Sequence, residues 1–323
     1  MQQTNSALVK RRLRSGAARL LQRATTRTLG IGQVIAQESV RMKTGMQKAD
    51  IRKQWESAAP GWVKWESMVA TWMEPATSAM LNMADVNPGS WVLDLASGAG
   101  SQTLSAARRV GPQGRVVASD ISETMLQHVH ENACAAGLHN VTTQAGAAED
   151  LVVTEATYDA AICRLGLMLF AEPAKALAAV SRALKPGGKI AVVVFTTPAT
   201  NPFMAIPMQV LLRHAGKAPP APGQPGIFSL GASGVIERLL TGSGFVGVEQ
   251  RSLSVPLRMP SAKDALAMMR EAFGAYRAVV SDAPEAVRVA AWEEVAQTLK
   301  TFETTTGFEG PAEVMVAAGL KPR

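Results

Sequence analysis

Two carboxylates and a pair of glycines carry the clearest chemistry in this sequence. The stretch VLDLASGAG (92–100) sets Asp94 inside an apolar run and puts Gly98 and Gly100 two apart. Glycine lets a backbone approach a ligand with no Cβ in the way. A turn of this kind, at the carboxyl edge of a parallel sheet, is a seat for a nucleotide-like cofactor. Asp120 stands 20 residues after Gly100, at the end of a second apolar run, RVVASD (115–120). An acid at that distance hydrogen-bonds a ribose diol. Together the turn and the acid point to a ribose-containing cofactor.

Two cofactor classes fit, a nicotinamide dinucleotide and S-adenosylmethionine. The dinucleotide fingerprint is G-x-G-x-x-G/A, and its third position here is Thr103, which weakens the nicotinamide reading. The histidines add little. His128 and His130, two apart on a helix, project about 200° apart and cannot share a metal, so they read as solvent-facing. His139 reads as a solvated turn residue. His214, in LLRHAGKAPP, is a candidate acid or base in the distal region. Cys163 reads as a buried strand residue with no partner to make it a nucleophile. Arg164 ends an otherwise apolar strand. It is either a catalytic or cofactor-contacting group or half of a surface ion pair. With two cysteines and four histidines, neither a disulfide framework nor a structural zinc site is expected.

The elements that must hold these residues can be read from the pattern. A helical stretch over 49–85 contains Trp55, Trp62, Trp65 and Trp72, which serve as core or as a cover. Strands are expected at 90–96, 115–120, 141–146, 158–166 and 189–195. Helices are expected at 101–110, 122–137 and 171–184, the last closed by a KPGG turn (185–188). Strands alternating with helices at this spacing make a doubly wound α/β fold with a parallel sheet. Beyond residue 200 the rhythm changes. A helix and a proline-rich loop (201–226), a helix near 232–242, a strand at 246–257, helices over 261–303 and a last strand at 312–320 are expected. Met268, Met269, Phe273 and Tyr276 lie in that part and read more as core than as a substrate box.

Taken as a set, VLDLASGAG (92–100), VVASDIS (116–122), GAAEDL (146–151), YDAAICRLGLMLF (158–170) and ALKPGGKIAVVVF (183–195) resemble the class I S-adenosylmethionine-dependent methyltransferases. The likeness runs over about residues 55–255 and is nearest to the ubiquinone/menaquinone-type C-methyltransferases. It implies a Rossmann-like, mostly parallel seven-stranded sheet of order 3-2-1-4-5-7-6, with N-terminal lid helices and an inserted helical cap. It implies S-adenosylmethionine as cofactor. Asp94 would orient the turn and meet the methionine ammonium directly or through water. Ala96, Ser97, Gly98 and Gly100 would line the methionine and ribose side, and Asp120 would take the ribose hydroxyls. Ile121 and Met125 would pack on the adenine, and Ala148 would offer its backbone to the adenine edge. Relatives commonly carry an aspartate where Ala147 stands, which leaves that contact to Glu149 or water. Arg164 would lie where cofactor and substrate meet, and Trp62 would belong to a lid over the methionine end. The asparagine- and histidine-containing signature of quinone C-methyltransferases and the cysteine set of arsenite methyltransferases are both missing.

Composition bounds the rest. Of 323 residues, 47% are hydrophobic and 18% charged, a globular balance. The net charge of +7 is uneven: residues 1–53 hold twelve of the 33 Lys/Arg and two of the 26 acids. The remaining body is slightly acidic, which argues against a nucleic-acid partner. No apolar run is long enough for a membrane span. The leader, 1–48, is Arg-rich and acid-poor, and partly amphipathic. It reads as an organellar (for instance mitochondrial) transit segment, or as a disordered basic tail of a cytoplasmic protein. A weak association with an anionic membrane surface is a further reading. Lid helices over 49–89, a cofactor-binding core over 90–200 and a sheet end with a substrate cap over 201–323 complete the expected organisation.

The expected activity is methyl transfer to a small, largely apolar molecule: a quinone precursor, a phenolic or a lipid-like compound. Alternatives are a non-catalytic S-adenosylmethionine-binding assembly protein and an NAD(P)-dependent oxidoreductase.

Overall fold

Short runs of small and branched residues in mid-chain become parallel strands, the inner ones buried on both faces. The computed structural model describes residues 49–221 and 223–323. The basic leader lies outside the described residues. Helix α1 covers residues 49–64 and α2 covers Glu66–Met83. The chain turns at Trp65 between them, so the single helical stretch expected over 49–85 is two helices.

Five strands follow: β1 (Trp91–Leu95), β2 (Arg115–Asp120), β3 (Val141–Ala145), β4 (Tyr158–Arg164) and β5 (Leu184–Phe195). They run parallel in the order β3-β2-β1-β4-β5. Helices α3 (Ser101–Val110), α4 (Glu123–Ala135) and α5 (Pro173–Ala183) make the crossovers. Ser122 caps α4 by accepting the Met125 N–H at 3.1 Å, as an N-cap serine does. The expected KPGG turn is instead part of β5. The register against β4 jumps from Tyr158↔Leu184 to Ala160↔Lys189, so these residues form a bulge. The amide of Gly187 donates to the Lys321 carbonyl and that of Lys321 to the Gly188 carbonyl. The extra backbone groups are thereby satisfied, as buried ones must be.

Beyond β5 come α6 (Pro202–His214), α7 (Val235–Gly242), β6 (Val246–Ser254) and β7 (Leu257–Met259). Then follow α8 (Ala262–Ala272), α9 (Gly274–Val279), α10 (Glu285–Lys300), β8 (Glu303–Thr304), β9 (Gly307–Gly310) and β10 (Glu313–Leu320). The antiparallel β10 sits between β5 and β6 and completes seven strands, β3-β2-β1-β4-β5-β10-β6. Counted within the sheet this is the expected 3-2-1-4-5-7-6. The strand expected over 246–257 is broken. Pro256 has no N–H to give a ladder, and beyond it β7 joins a separate three-stranded sheet, β7-β9-β8. The cap is therefore helical with a small sheet of its own.

Helix α2 closes the core over β4, β5 and β10. Trp72 is buried against Phe195 and Phe203, with ring centroids 6.0 and 5.9 Å away, and its Nε1 donates to the Val255 carbonyl at 2.7 Å. Met268, Met269, Phe273 and Tyr276 are all buried. The Tyr276 hydroxyl donates to the Met204 carbonyl at 2.9 Å. Of the four early tryptophans, Trp72 is plain core.

Candidate active site

Parallel registry brings the carboxyl ends of β1, β2 and β4 to one edge, so Asp94, Asp120 and Arg164 come together there. Asp94 is fully buried. The Thr103 hydroxyl donates to its Oδ2 at 2.5 Å, and Gln102 Nε2 donates to the Ser97 carbonyl at 3.0 Å and, more weakly at 3.4 Å, to Asp94 Oδ1. Burial raises the Asp94 pKa to about 7, against the pull of those donors and of the Arg164 charge. Asp94 thus serves the turn from beneath, with no face open for direct contact with a ligand. At the fingerprint's third-glycine position, Thr103 thus supplies a hydroxyl that meets Asp94. Gln102 is invisible to sequence reasoning, since a polar residue early in a helix reads as surface.

The turn above is built on positive φ angles: Ala96 at 50°, Gly98 at 55° and Gly100 at 97°. A Cβ on Gly98 would meet nothing within 4 Å, whereas one on Gly100 would lie 2.8 Å from a Val129 methyl. Gly98 therefore leaves space for a ligand, and Gly100 lets the turn sit on α4. Asp120 closes the far side. Its Oδ2 accepts the Gly98 N–H and its Oδ1 the Ser122 N–H, each at 2.9 Å. Burial raises its pKa, and the backbone donors oppose that. Each carboxylate oxygen keeps a further lone pair for the hydroxyls of a ribose.

Ile121 follows Asp120 and is half-buried, while Met125 is buried. Met125 packs with Ala99 of the turn and Ala59 of α1, and Trp62 and Val63 lie against them. The lid thus rests directly on the turn. Glu56 of α1, a residue sequence reasoning missed, adds a tie by accepting the Glu123 N–H at 2.7 Å. Ala147 precedes a short turn, Ala148–Asp150, with Ala148 buried. Glu149 is tied on one side, its Oε1 accepting the amides of Ala171 and Glu172 at 3.1 and 3.4 Å.

Arg164 is not half of a surface ion pair. It is 9% exposed, and its guanidinium turns toward α2 and α3, donating to the hydroxyls of Thr77 at 2.8 Å and Ser101 at 2.5 Å. Burial lowers its pKa to about 10, partly offset by Asp94 and Glu66. Cys163 is buried, and burial pushes its thiol up to about 12, which leaves no thiolate for nucleophilic attack. His214 pairs with Glu294 of α10 at 2.8 Å, beside Arg213, and not with the turn. His128 is not solvent-facing as expected: it bonds Glu66 of α2 at 2.9 Å. Among the described residues no group of three metal-ligating side chains converges.

Two polar atoms here are buried with no partner, Trp62 Nε1 and Ser97 Oγ. Buried polar groups are nearly always satisfied, so this pair, beside the open space at Gly98, fits a polar ligand on the turn. A ribose-and-amino-acid cofactor such as S-adenosylmethionine has the groups to meet them.

Comparison with known proteins agrees. Residues 92–188 match a family model described as a methyltransferase domain. Nocamycin O-methyltransferase of Saccharothrix syringae is 30% identical over 198 residues, covering 58% of this chain and 71% of the relative. The ubiquinone/menaquinone biosynthesis C-methyltransferase UbiE of Pasteurella multocida is 36% identical over 127 residues, 39% of this chain and 47% of the relative. This chain therefore matches about half the length of that enzyme. In structure, the YcgJ protein of Bacillus subtilis superposes with a TM-score of 0.53 at 17% identity, over 77% of this chain and 99% of that one. These likenesses decide between the two cofactor classes that the glycine turn and Asp120 left open, and place the chain in the family of class I S-adenosylmethionine-dependent methyltransferases.

Proposed function

We propose that this methyltransferase acts on a small, largely apolar acceptor, of the quinone-precursor, phenolic or lipid-like class. Bound on the turn, S-adenosylmethionine supplies an electrophilic methyl on a sulfonium. The chain's own task is to hold, align and keep dry. Asp120 and the amides around Gly98 define the cofactor seat, and Asp94, Thr103 and Gln102 fix that seat from below.

One observation carries the acceptor class: the surface that meets the turn from above is aromatic. Trp62 touches the Ala99–Met125 cluster on one side and Phe273 of the cap on the other, with centroids 5.9 Å apart. Trp55 extends this roof along α1, and the buried Tyr276 backs Phe273 from the core. Such a roof excludes water, and transfer from a charged sulfonium to a neutral acceptor disperses charge, which a dry site favours. It offers flat apolar surface to a ring or chain. The names of the two relatives, for nocamycin and for ubiquinone/menaquinone biosynthesis, agree with a small organic acceptor. No protein nucleophile is required, and a base is required only where the accepting atom must lose a proton.

The test is incubation of the full chain with methyl-deuterated S-adenosylmethionine and an extract of the source cells. The extract is split into organic and aqueous phases and read by mass spectrometry, with Asp120→Ala as control. Labelled product in the organic phase, absent with the variant, is the expected result. Label confined to the aqueous phase would overturn the apolar-acceptor reading.

A further inference from the structure

A cavity of about 140 Å³ lies between α2 and α3, beside the turn. Thr77, Ser78 and Glu74 of α2, Ser105 and Arg109 of α3, and Arg164 with its partner Ser101 line it. Arg164 is nine-tenths buried and spends two donors on neutral hydroxyls. A guanidinium has five donors, so three remain. Asp94 and Glu66 influence its charge only from beyond contact. Arg109 is half-buried and has no ion pair among the described residues. Its side chain leans toward the helix N-terminus, as helical side chains do, and so over Ser105. Two cations, Arg164 and Arg109, and one exposed carboxylate, Glu74, share this hydroxyl-lined cavity, which leaves one positive charge in excess.

We propose that this cavity binds a small monocarboxylate, held by Arg164 and Arg109, at the same time as the cofactor occupies the turn. The planar fork of a guanidinium matches a carboxylate, and the hydroxyls of Ser101 and Ser105 supply further donors. The volume equals about four or five water molecules at roughly 30 Å³ each, which suits an acetate-sized group. Glu74, exposed on the rim, repels a second negative charge, so a dianion fits less well. Because Ser101 directly follows Gly100, the occupant touches the same helix end that carries the turn.

A carboxylate in this cavity has two sources, a separate metabolite or the cofactor's own amino-acid end. Acetate binding to the full chain, followed by saturation-transfer NMR with chloride at matched ionic strength, separates them. The expected result is saturable binding that changes less than about threefold when S-adenosylmethionine is saturating, and that weakens by about tenfold or more in Arg109→Gln, a loss of roughly 1.4 kcal/mol. That variant is expected to bind S-adenosylmethionine as the parent does. Competitive displacement of acetate by S-adenosylmethionine would overturn the proposal, since the cavity would then be part of the cofactor seat. Equal binding by Arg109→Gln, or an equal effect of chloride, would overturn it as well. Should the variant fail to fold, the competition on the unaltered protein still decides.

Discussion

The turn and the roof above it hold together by opposite means. Beneath the turn, each buried carboxylate is met by two donors: Asp94 by Thr103 and Gln102, and Asp120 by the amides of Gly98 and Ser122. Such bonds are strong in a low dielectric, and each is expensive to leave unmade. The roof is held by rings in tilted contact and by partly exposed charges. Glu271 of α8 accepts from Lys64 at 2.9 Å and from Trp65 Nε1 at 2.6 Å, yet its side chain is 38% exposed and that of Lys64 61%. Exposed pairs contribute about 1 kcal/mol or less. A stiff floor and a lightly fastened cover therefore meet at Trp62. The cover is where breaking contacts costs least.

Five substitutions sharpen this contrast. Gly100→Val has the largest expected effect. It forces a branched residue to a φ of 97° and drives its Cβ to 2.8 Å from Val129. A loss of about 3 kcal/mol or more follows, read as a collapse of the denaturant midpoint and of cofactor binding. Thr103→Val removes a buried donor from Asp94 and is expected to cost about 2 kcal/mol in urea unfolding. The same site has a pH signature. Asp94 has a folded pKa of about 7, above its ordinary 3.8, so the folded state holds the proton more tightly. Its contribution is complete below about pH 4 and is lost as pH rises toward 7. Asp94→Asn should flatten stability across that window, and an unchanged pH profile would show that the buried carboxyl does not titrate there.

The next two act on the cover. An added Cβ at Gly61 would lie 1.8 Å from the Glu271 carbonyl oxygen, so Gly61→Ala must push α1 off α8. We expect KM for S-adenosylmethionine to rise about tenfold, or roughly 1.4 kcal/mol. The melting temperature should move by only about 2–4 °C. A fall in stability as large as that of Thr103→Val would show the lid to be part of the floor. Glu271→Gln has the smallest effect, about 0.5 kcal/mol, measured by thermal unfolding and shrinking with added salt. Hydrogen bonds from Lys64 and Trp65 hold the Glu271 pKa below its ordinary 4.5. Its contribution is therefore present above that value and fades as pH falls through the lowered one.

The sheet was legible because parallel strands repeat their burial on both faces and leave continuous apolar runs such as Val192–Phe195. The turn was legible because a backbone bent to positive φ selects glycine at Gly98 and Gly100. Less local features were not. Gln102 looks like a surface residue until Asp94 is known to lie under it. Gly61 and Glu271 are separated by about two hundred residues, and no periodicity links them. Strands of two to four residues, as in β7, β8 and β9, are too short to show alternation. Arg164 was noticed for its charge, but its direction, toward α2 and α3, depends on packing that no single element announces.

The position of β10 bears on how the chain is made. Strand β6 reaches the sheet only through β10, which is the last of the seven to be synthesised and follows β6 by some sixty residues. At about 5–20 residues per second, β5 and β6 wait several seconds with edges open to water. Trp72 likewise waits for the Val255 carbonyl, 183 residues later. The cofactor half can close early on the ribosome, while the edge beside β5 stays open to mispairing with a neighbouring chain until β10 emerges to fill it.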